Sequence, residues 1–183
     1  MDIFSARVKW ARERKMLSQK DIAEKIGMSP QGYGKIENGQ REPKLEILAK
    51  FPEILDESVD FLIGVTDFDH HGYNLLLEYR EAFTNVVMAE DDLLMMEVNP
   101  HDENLRSRTF NPDNPEEVKA QIEKIKKYLI GWRRRRDQTK PRLLKYLETI
   151  PMVSEKAEKA IREIEEWKEI MDKLKNSNEE RDT

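Results

Sequence analysis

The sequence predicts an all-α protein in two parts: a compact domain of five short helices over residues 1–66, and a helical, oligomerising C-terminal region over residues 73–176. Three observations carry this. Apolar residues recur at spacings of three and four along most of the chain, and no stretch alternates over the length of a strand. Gly and Pro number only 7 and 8 in 183 residues, so turns are sparse. Hydrophobic and charged residues each make up 38%, which supplies a core beneath a heavily charged surface and excludes a disordered chain.

In chain order, Ile3, Phe4, Val8 and Ala11, with Arg7 on the same repeat, mark a first helix over residues 3–14. Ser18 then precedes an Ile22, Ala23, Ile26 stripe, with Asp21 three residues on as an acidic stand-in for a capping-box Glu, and Gly27 ends this second helix. Ser29 as N-cap and Pro30 at the first helical position start a third, running to about Glu37 and stopping at Asn38 and Gly39. Leu45, Leu48 and Ala49 give a fourth; Val59, Phe61, Leu62 and Ile63 give a fifth that ends at Gly64. Residues 67–72 read as a polar linker. A longer helix follows from Tyr73 to about Met96, then a Pro- and Asn-rich loop from Glu97 to Pro115. From Glu116, Val118, Ile122, Ile125, Leu129 and Trp132 form a heptad-like seam. A short helix over Lys140–Ile150 comes next, then a last one capped by Ser154 with a second seam of Ala157, Ala160, Ile164, Trp167, Met171 and Leu174. Residues 177–183 read as a frayed tail.

The net charge of −5 argues, taken whole, against a nucleic-acid partner. Divided by segment it does not: residues 1–50 carry +4, residues 51–115 carry −12 and residues 116–183 carry +3. The acidic middle could face away from DNA, cover the basic head, bind a basic partner or an inducer, or stay solvated. The run Arg133–Arg136 offers phosphate or an acidic groove its contacts, or else pairs with that acidic middle.

Catalytic and metal constellations are missing from the sequence. With no Cys there is neither disulfide nor thiolate site, which fits a reducing compartment. No apolar run reaches the roughly 18–20 residues that span a bilayer and no signal peptide opens the chain, so we expect a cytoplasmic protein without a membrane partner. The histidines, His70, His71 and His101, lack ligand spacing, because adjacent side chains diverge. No enzymatic activity, no metal and no cofactor are therefore expected.

The stretch from Leu17 to Gly39, LSQKDIAEKIGMSPQGYGKIENG, has Gln19 opening one helix, small Ala23 where two helices cross, Gly27 in the turn, and Tyr33 and Ile36 facing inward from the next. With Arg41, Pro43 and the closing Val59–Gly64 segment, it resembles the phage-repressor-like (Cro/repressor, XRE) helix-turn-helix family of transcriptional regulators over residues 1–66. The resemblance implies a lambda-repressor-like fold whose third helix enters the major groove of double-stranded DNA. It implies base contacts from Gln31, Lys35, Ser29 and Gly34 and phosphate contacts from Gln19, Asn38 and Arg41. Ser29 serves equally as a cap alone. Gly32 and Gly34 depart from the family pattern, since two glycines cost a short helix about 2 kcal/mol relative to Ala.

A repressor that occupies a palindromic operator needs two reading helices about 34 Å apart, which a homodimer supplies. Ile122, Ile125, Leu129, Trp132, Ile164, Trp167, Met171 and Leu174 are the candidates for that dimer interface, against the alternative that both seams pack within one chain. The alternative function is an antitoxin-type autoregulator whose C-terminal helices hold a protein partner. A third reading, a protein-interaction module that keeps the helix-turn-helix shape, draws on Gly32 and Gly34.

Overall fold

A computed structural model describes residues 2–102, 105 and 109–179, with side chains as far as Ile170. Among the described residues the only regular elements are α-helices: α1 Ile3–Arg14, α2 Gln19–Ile26, α3 Pro30–Glu37, α4 Leu45–Leu48, α5 Phe51–Leu55, α6 Val59–Leu62, α7 His70–Val98, α8 Pro115–Leu147 and α9 Glu155–Glu179. No helix among them is long and apolar enough to cross a membrane. The chain divides into two compact units. The first holds residues up to Asn74 together with Leu143–Ile161, and the second holds Leu75–Arg142 with the residues from Arg162 onward.

The start signals of the first unit act as the sequence reads. Ser18 accepts from the Asp21 N–H while Asp21 accepts from the Ser18 N–H, a complete capping box. Ser29 accepts from the Gly32 N–H at 3.1 Å, and Pro30 occupies the first turn of α3. The fourth helix read on Leu45, Leu48 and Ala49 is α4, and a further short helix that the sequence reading does not include, α5, follows it. Leu45 stays 78% exposed, whereas Phe51 and Leu55 are buried, so the apolar stripe that draws the chain inward begins with α5, whose first turn carries Pro52. Val8, Ala11, Ile22, Ala23, Ile26, Tyr33, Ile36, Phe51, Leu55, Phe61 and Leu62 make the core. Within it Phe4 meets Phe51 edge-on at 5.7 Å, and Trp10 meets Phe61 at the same distance.

Arg7 sits in this core at 0% exposure. Its Nη1 donates to the carbonyls of Phe61 (2.7 Å) and Thr66 (2.6 Å), and its Nη2 to Asp67 Oδ1 (2.6 Å). Weaker bonds reach Pro151 O and Met152 O, in the turn between α8 and α9. The other oxygen of Asp67 accepts from the Ser154 N–H and hydroxyl, so one carboxylate ties α1 to the start of α9. Burial raises the Asp67 pKa, but the Ser154 and Arg7 hydrogen bonds outweigh it and hold it below the usual range. Asp69 accepts from the Gly72 N–H in the first turn of α7, from Arg14 at 2.6 Å and from the Tyr146 hydroxyl. The stretch 67–72 thus carries two carboxylates at 1% exposure, where the sequence suggests a solvated linker. Their charge is acceptable inside because each is fully bonded.

Glu57, 7% exposed between α5 and α6, is the exception: its Oε2 is a buried side-chain oxygen without a hydrogen-bond partner among the described residues. Burial first, and then the charge of Asp69, push its pKa up to about 7.

In the second unit Val86 and Ala89 of α7 bury against Leu129 of α8, with Leu93, Ile125 and Trp132 packed around them. The acidic residues of α7 meet the basic residues of α8 in antiparallel order: Glu97 with Lys126, Glu90 with Arg133 at 2.7 Å, and Glu78 with Arg135 and Arg142. Arg136 pairs with Asp137. Of the readings open for the arginine run and the acidic middle, mutual pairing accounts for Arg133 and Arg135. Tyr79 and Lys140 both bond Glu165 of α9.

One expected boundary is absent. The seam helix and the short helix expected over Lys140–Ile150 are a single α8, which continues through Pro141. A proline inside a helix costs about 3 kcal/mol. Burial of Leu143 and Leu147, together with the Tyr146 hydrogen bonds, holds the turn that follows in helical register. Helix α9 likewise runs to Glu179, into the expected frayed tail, whose last four residues lie outside the described ones.

Asp67→Ala strands the Arg7 guanidinium in the core and is expected to cost about 3–5 kcal/mol, read as a lower urea midpoint. Glu57 acts in the opposite sense to a paired carboxylate. With its folded pKa raised from 4.5 to about 7, its contribution favours the folded state at low pH and is lost as pH rises through that window. The stability of Glu57→Gln relative to the parent should therefore grow by on the order of 2 kcal/mol between pH 4.5 and pH 8 in chemical denaturation.

Candidate nucleic-acid interface

The site is built on the α2–α3 pair. Gly27 ends α2 in the left-handed region, φ +76°, which a glycine adopts without strain, and the Met28 N–H closes the turn on Ala23 O at 2.8 Å. Lys50 bonds the free carbonyl of Ile26. Ala23, wholly buried, lets α3 lie close, and Tyr33 and Ile36 point inward from α3 as their spacing predicts.

Glu37 fixes the orientation of α3. It lies one turn beyond Tyr33 on the same inner face, at 1% exposure. Arg12 of α1 holds it with two parallel bonds, Nε to Oε2 at 2.7 Å and Nη2 to Oε1 at 2.8 Å. The Tyr33 hydroxyl donates to Oε2 at 2.6 Å and Gln19 Nε2 to Oε1 at 3.0 Å, while Arg12 Nη1 donates to the Leu17 carbonyl. One carboxylate thereby connects α1, the turn before α2, the first residue of α2 and the whole of α3. Burial works to raise its pKa, but the Arg12, Tyr33 and Gln19 bonds prevail and lower it. Burial and the facing Glu37 raise the Tyr33 phenol far above its usual range. The signal was present in the sequence: Tyr33, Ile36 and Glu37 share one helical face, and Arg12 follows Val8 and Ala11 on the inner face of α1.

The opposite face of α3 is open. Ser29, Gln31, Lys35 and Asn38 are exposed there, and Arg41 is exposed just beyond. The side chains of Gln31, Lys35 and Arg41 make no hydrogen bond or ion pair among the described residues. Ser29 is engaged as a cap. Gln19 is half-buried, with its amide committed to Glu37. A Cβ on Gly34 would lie 3.3 Å from Gln19 Oε1, so a glycine there gives α2 and α3 their close approach. A Cβ on Gly32 would crowd the Ser29 hydroxyl at 3.1 Å. At both glycines an added Cβ would press on a side chain, Ser29 or Gln19, that would have to shift by a few tenths of an ångström.

Residues 8–62 match the helix-turn-helix family. That stretch is a helix-turn-helix domain. Three proteins of Bacillus subtilis (strain 168) are similar to it. The SPbeta prophage-derived uncharacterized HTH-type transcriptional regulator YonR is 44% identical over 64 residues, 35% of this chain and 59% of that protein. The uncharacterized HTH-type transcriptional regulator YqaE is 38% identical over 61 residues, 33% of this chain and 53% of that protein. The uncharacterized HTH-type transcriptional regulator YobD is 32% identical over 65 residues, 36% of this chain and 58% of that protein. The chain therefore spans a little over half the length of the relatives it matches. No solved structure matches the chain.

The seam residues divide. Leu129 is buried, and Ile125 and Trp132 pack against the same cluster on α7 within the chain. Ile122, Ile164 and Trp167 are half-buried, while the side chains of Met171 and Leu174 lie outside the described residues. Exposed apolar groups of α8 include Tyr128 and Ile130, at 51% and 60%, neighbours of the seam that the heptad spacing passes over, and Leu144 further along at 41%. Among the described residues no group of three or more His, Asp or Glu could hold a metal ion.

Glu37→Ala leaves the Arg12 guanidinium and the Tyr33 hydroxyl without their acceptor and should cost about 3 kcal/mol at pH 7. Because the folded pKa of Glu37 is lowered, its contribution is complete above the unfolded value of 4.5 and fades as pH falls. The gap between the urea midpoints of parent and variant should accordingly narrow below about pH 4.5.

Proposed function

We propose that the chain is a sequence-specific DNA-binding transcriptional regulator that represses by occupying a palindromic operator as a homodimer. The observation that carries this reading is the unspent polar face of α3, with Gln31 and Lys35 free on a helix whose other side is fixed by Glu37. A helix held rigidly by its inner face and bare on its outer face suits insertion into the major groove. In this reading Gln31 pairs with adenine and Lys35 with guanine. Ser29 and the backbone at Gly34 approach the bases, and Asn38 and Arg41 hold phosphate. Gln19 contributes at the phosphates through the N-terminal end of α2, since its side-chain amide serves Glu37. Ile122, Trp167 and the exposed Tyr128 and Ile130 supply the dimer contact, with Ile125, Leu129 and Trp132 supporting it from behind.

Selection from random-sequence duplexes by the full-length protein should enrich a two-fold symmetric site with half-sites about one helical turn apart; no enrichment overturns the reading. On that site, Gln31→Ala is expected to cost about 1–3 kcal/mol and relax discrimination at a single base pair. Arg41→Ala should weaken all sequences alike and reduce the salt slope by about one. Sedimentation should report twice the 21.7 kDa chain mass, and Ile130→Glu should return the mass to that of one chain and weaken operator binding.

A further inference from the structure

A cleft of about 530 Å³ opens in the first unit between α5, α6 and the start of α7. Four carboxylates, those of Asp56, Glu57, Asp60 and Asp69, line it, and no Lys or Arg does. Phe68 and the half-exposed Tyr73 supply aromatic surface to the same wall. Glu57 borders this cleft on one side and a smaller cavity of about 220 Å³ on the other. Its side chain is more than nine-tenths buried and its Oε2 has no hydrogen-bond partner among the described residues, while Arg14 reaches Oε1 at a loose 3.5 Å and the His70 backbone N–H adds a bond to the carboxylate that works to lower its pKa. Asp69 differs, because Arg14, Tyr146 and the Gly72 N–H already use its oxygens. The cleft therefore combines a negative field, one unfilled buried acceptor and flanking aromatic faces.

The geometry points to a binding site for a small organic amine, whose ammonium group donates to Glu57 Oε2 and whose carbon chain lies along Phe68 and Tyr73. A primary ammonium suits this acceptor because it carries three donors and a full positive charge, and the outer carboxylates of Asp56 and Asp60 line the same cleft. Aromatic faces beside a desolvated cation add attraction. A bare divalent ion fits less well, since one free buried oxygen does not make a coordination shell. The inference stands independently of the DNA reading.

Binding should also move a proton. The titratable and charged groups around Glu57 are Arg14 and Lys15 from α1, its neighbour Asp56, Asp60 of α6, Asp69, and His70 and His71 at the start of α7. Burial and Asp69 leave the free carboxyl half-protonated near pH 7, and an ammonium would complete its ionisation.

Calorimetric titration of the full-length protein with n-butylamine and 1,4-diaminobutane tests this, with n-butanol as the uncharged analogue and magnesium chloride as the metal. Both amines should bind and butanol should not. In buffers of different ionisation enthalpy, about half a proton should be released per amine at pH 7, falling towards zero by pH 9. Glu57→Gln should weaken amine binding at least about tenfold and abolish the proton release, and Asp60→Asn, on the exposed rim, should weaken it about twofold to threefold. The inference is overturned if neither amine binds, if butanol binds as well as butylamine, if magnesium binds and displaces the amine, or if Glu57→Gln and Asp60→Asn both leave the affinity unchanged.

Discussion

The first unit depends on a single buried charge. Arg7 lies where an apolar side chain would be expected, in the midst of Phe61 and its neighbours, and five acceptors surround its guanidinium. Helices of four or five residues, such as α4, α5 and α6, cannot hold themselves together, because so few internal hydrogen bonds do not offset the cost of nucleating a turn. For α6, Arg7 supplies part of what is lacking. Its bonds reach the carbonyl of Phe61 near the end of α6, which also accepts from the Gly64 N–H, and that of Thr66 in the segment beyond it. The choice of arginine follows from geometry, since only a planar fork of donors reaches carbonyls and a carboxylate in different directions at once.

A second buried charge divides the labour. Where Arg7 ties α6, the segment after it and the turn before α9 to α1, Glu37 sets the angle of α3 against α1 and α2. Both pairs would cost a great deal to break, and neither need add much to net stability compared with a well-packed apolar replacement. What they contribute is direction. An apolar contact tolerates rotation of α3 about its axis; a carboxylate held by Arg12, Tyr33 and Gln19 does not. Rotating α3 by one residue would turn Gln31 and Lys35 away from the outer face.

Local order in the first unit was legible in the sequence because its signals are local. Ser18 with Asp21, Gly27, and Ser29 with Pro30 each act over four residues, and the structure uses each as its chemistry suggests. The inward positions Ala23, Tyr33 and Ile36 were legible by spacing. Three things were not. The extra helix α5 depends on Phe51 and Leu55 finding room in the core while Leu45 of α4 does not, a tertiary outcome. Continuation of α8 through Pro141 sets a local penalty against burial of Leu143 and Leu147. The partners of Arg7 and Asp67 lie up to 145 residues away in the chain, beyond any periodicity. At the candidate site, the exposed residues of α3 could be named from the sequence, but the double duty of Gln19 and the packing role of Gly34 required coordinates.

The turn between α8 and α9, which completes the surroundings of Arg7 and Asp67, has a consequence for how the molecule forms. The chain leaves the first unit after Asn74 and returns to it at Leu143. During synthesis, α1 to α6 emerge long before Pro151, Met152 and Ser154 exist to receive or supply their hydrogen bonds. The nascent unit must therefore wait with a buried arginine and aspartate incompletely satisfied, in a state less stable than the finished one, until more than seventy further residues have been made. Closing so long a loop is an entropic cost borne late and a brake on the rate. The last act of folding in the N-terminal unit thus belongs to residues near the C-terminal end of the chain.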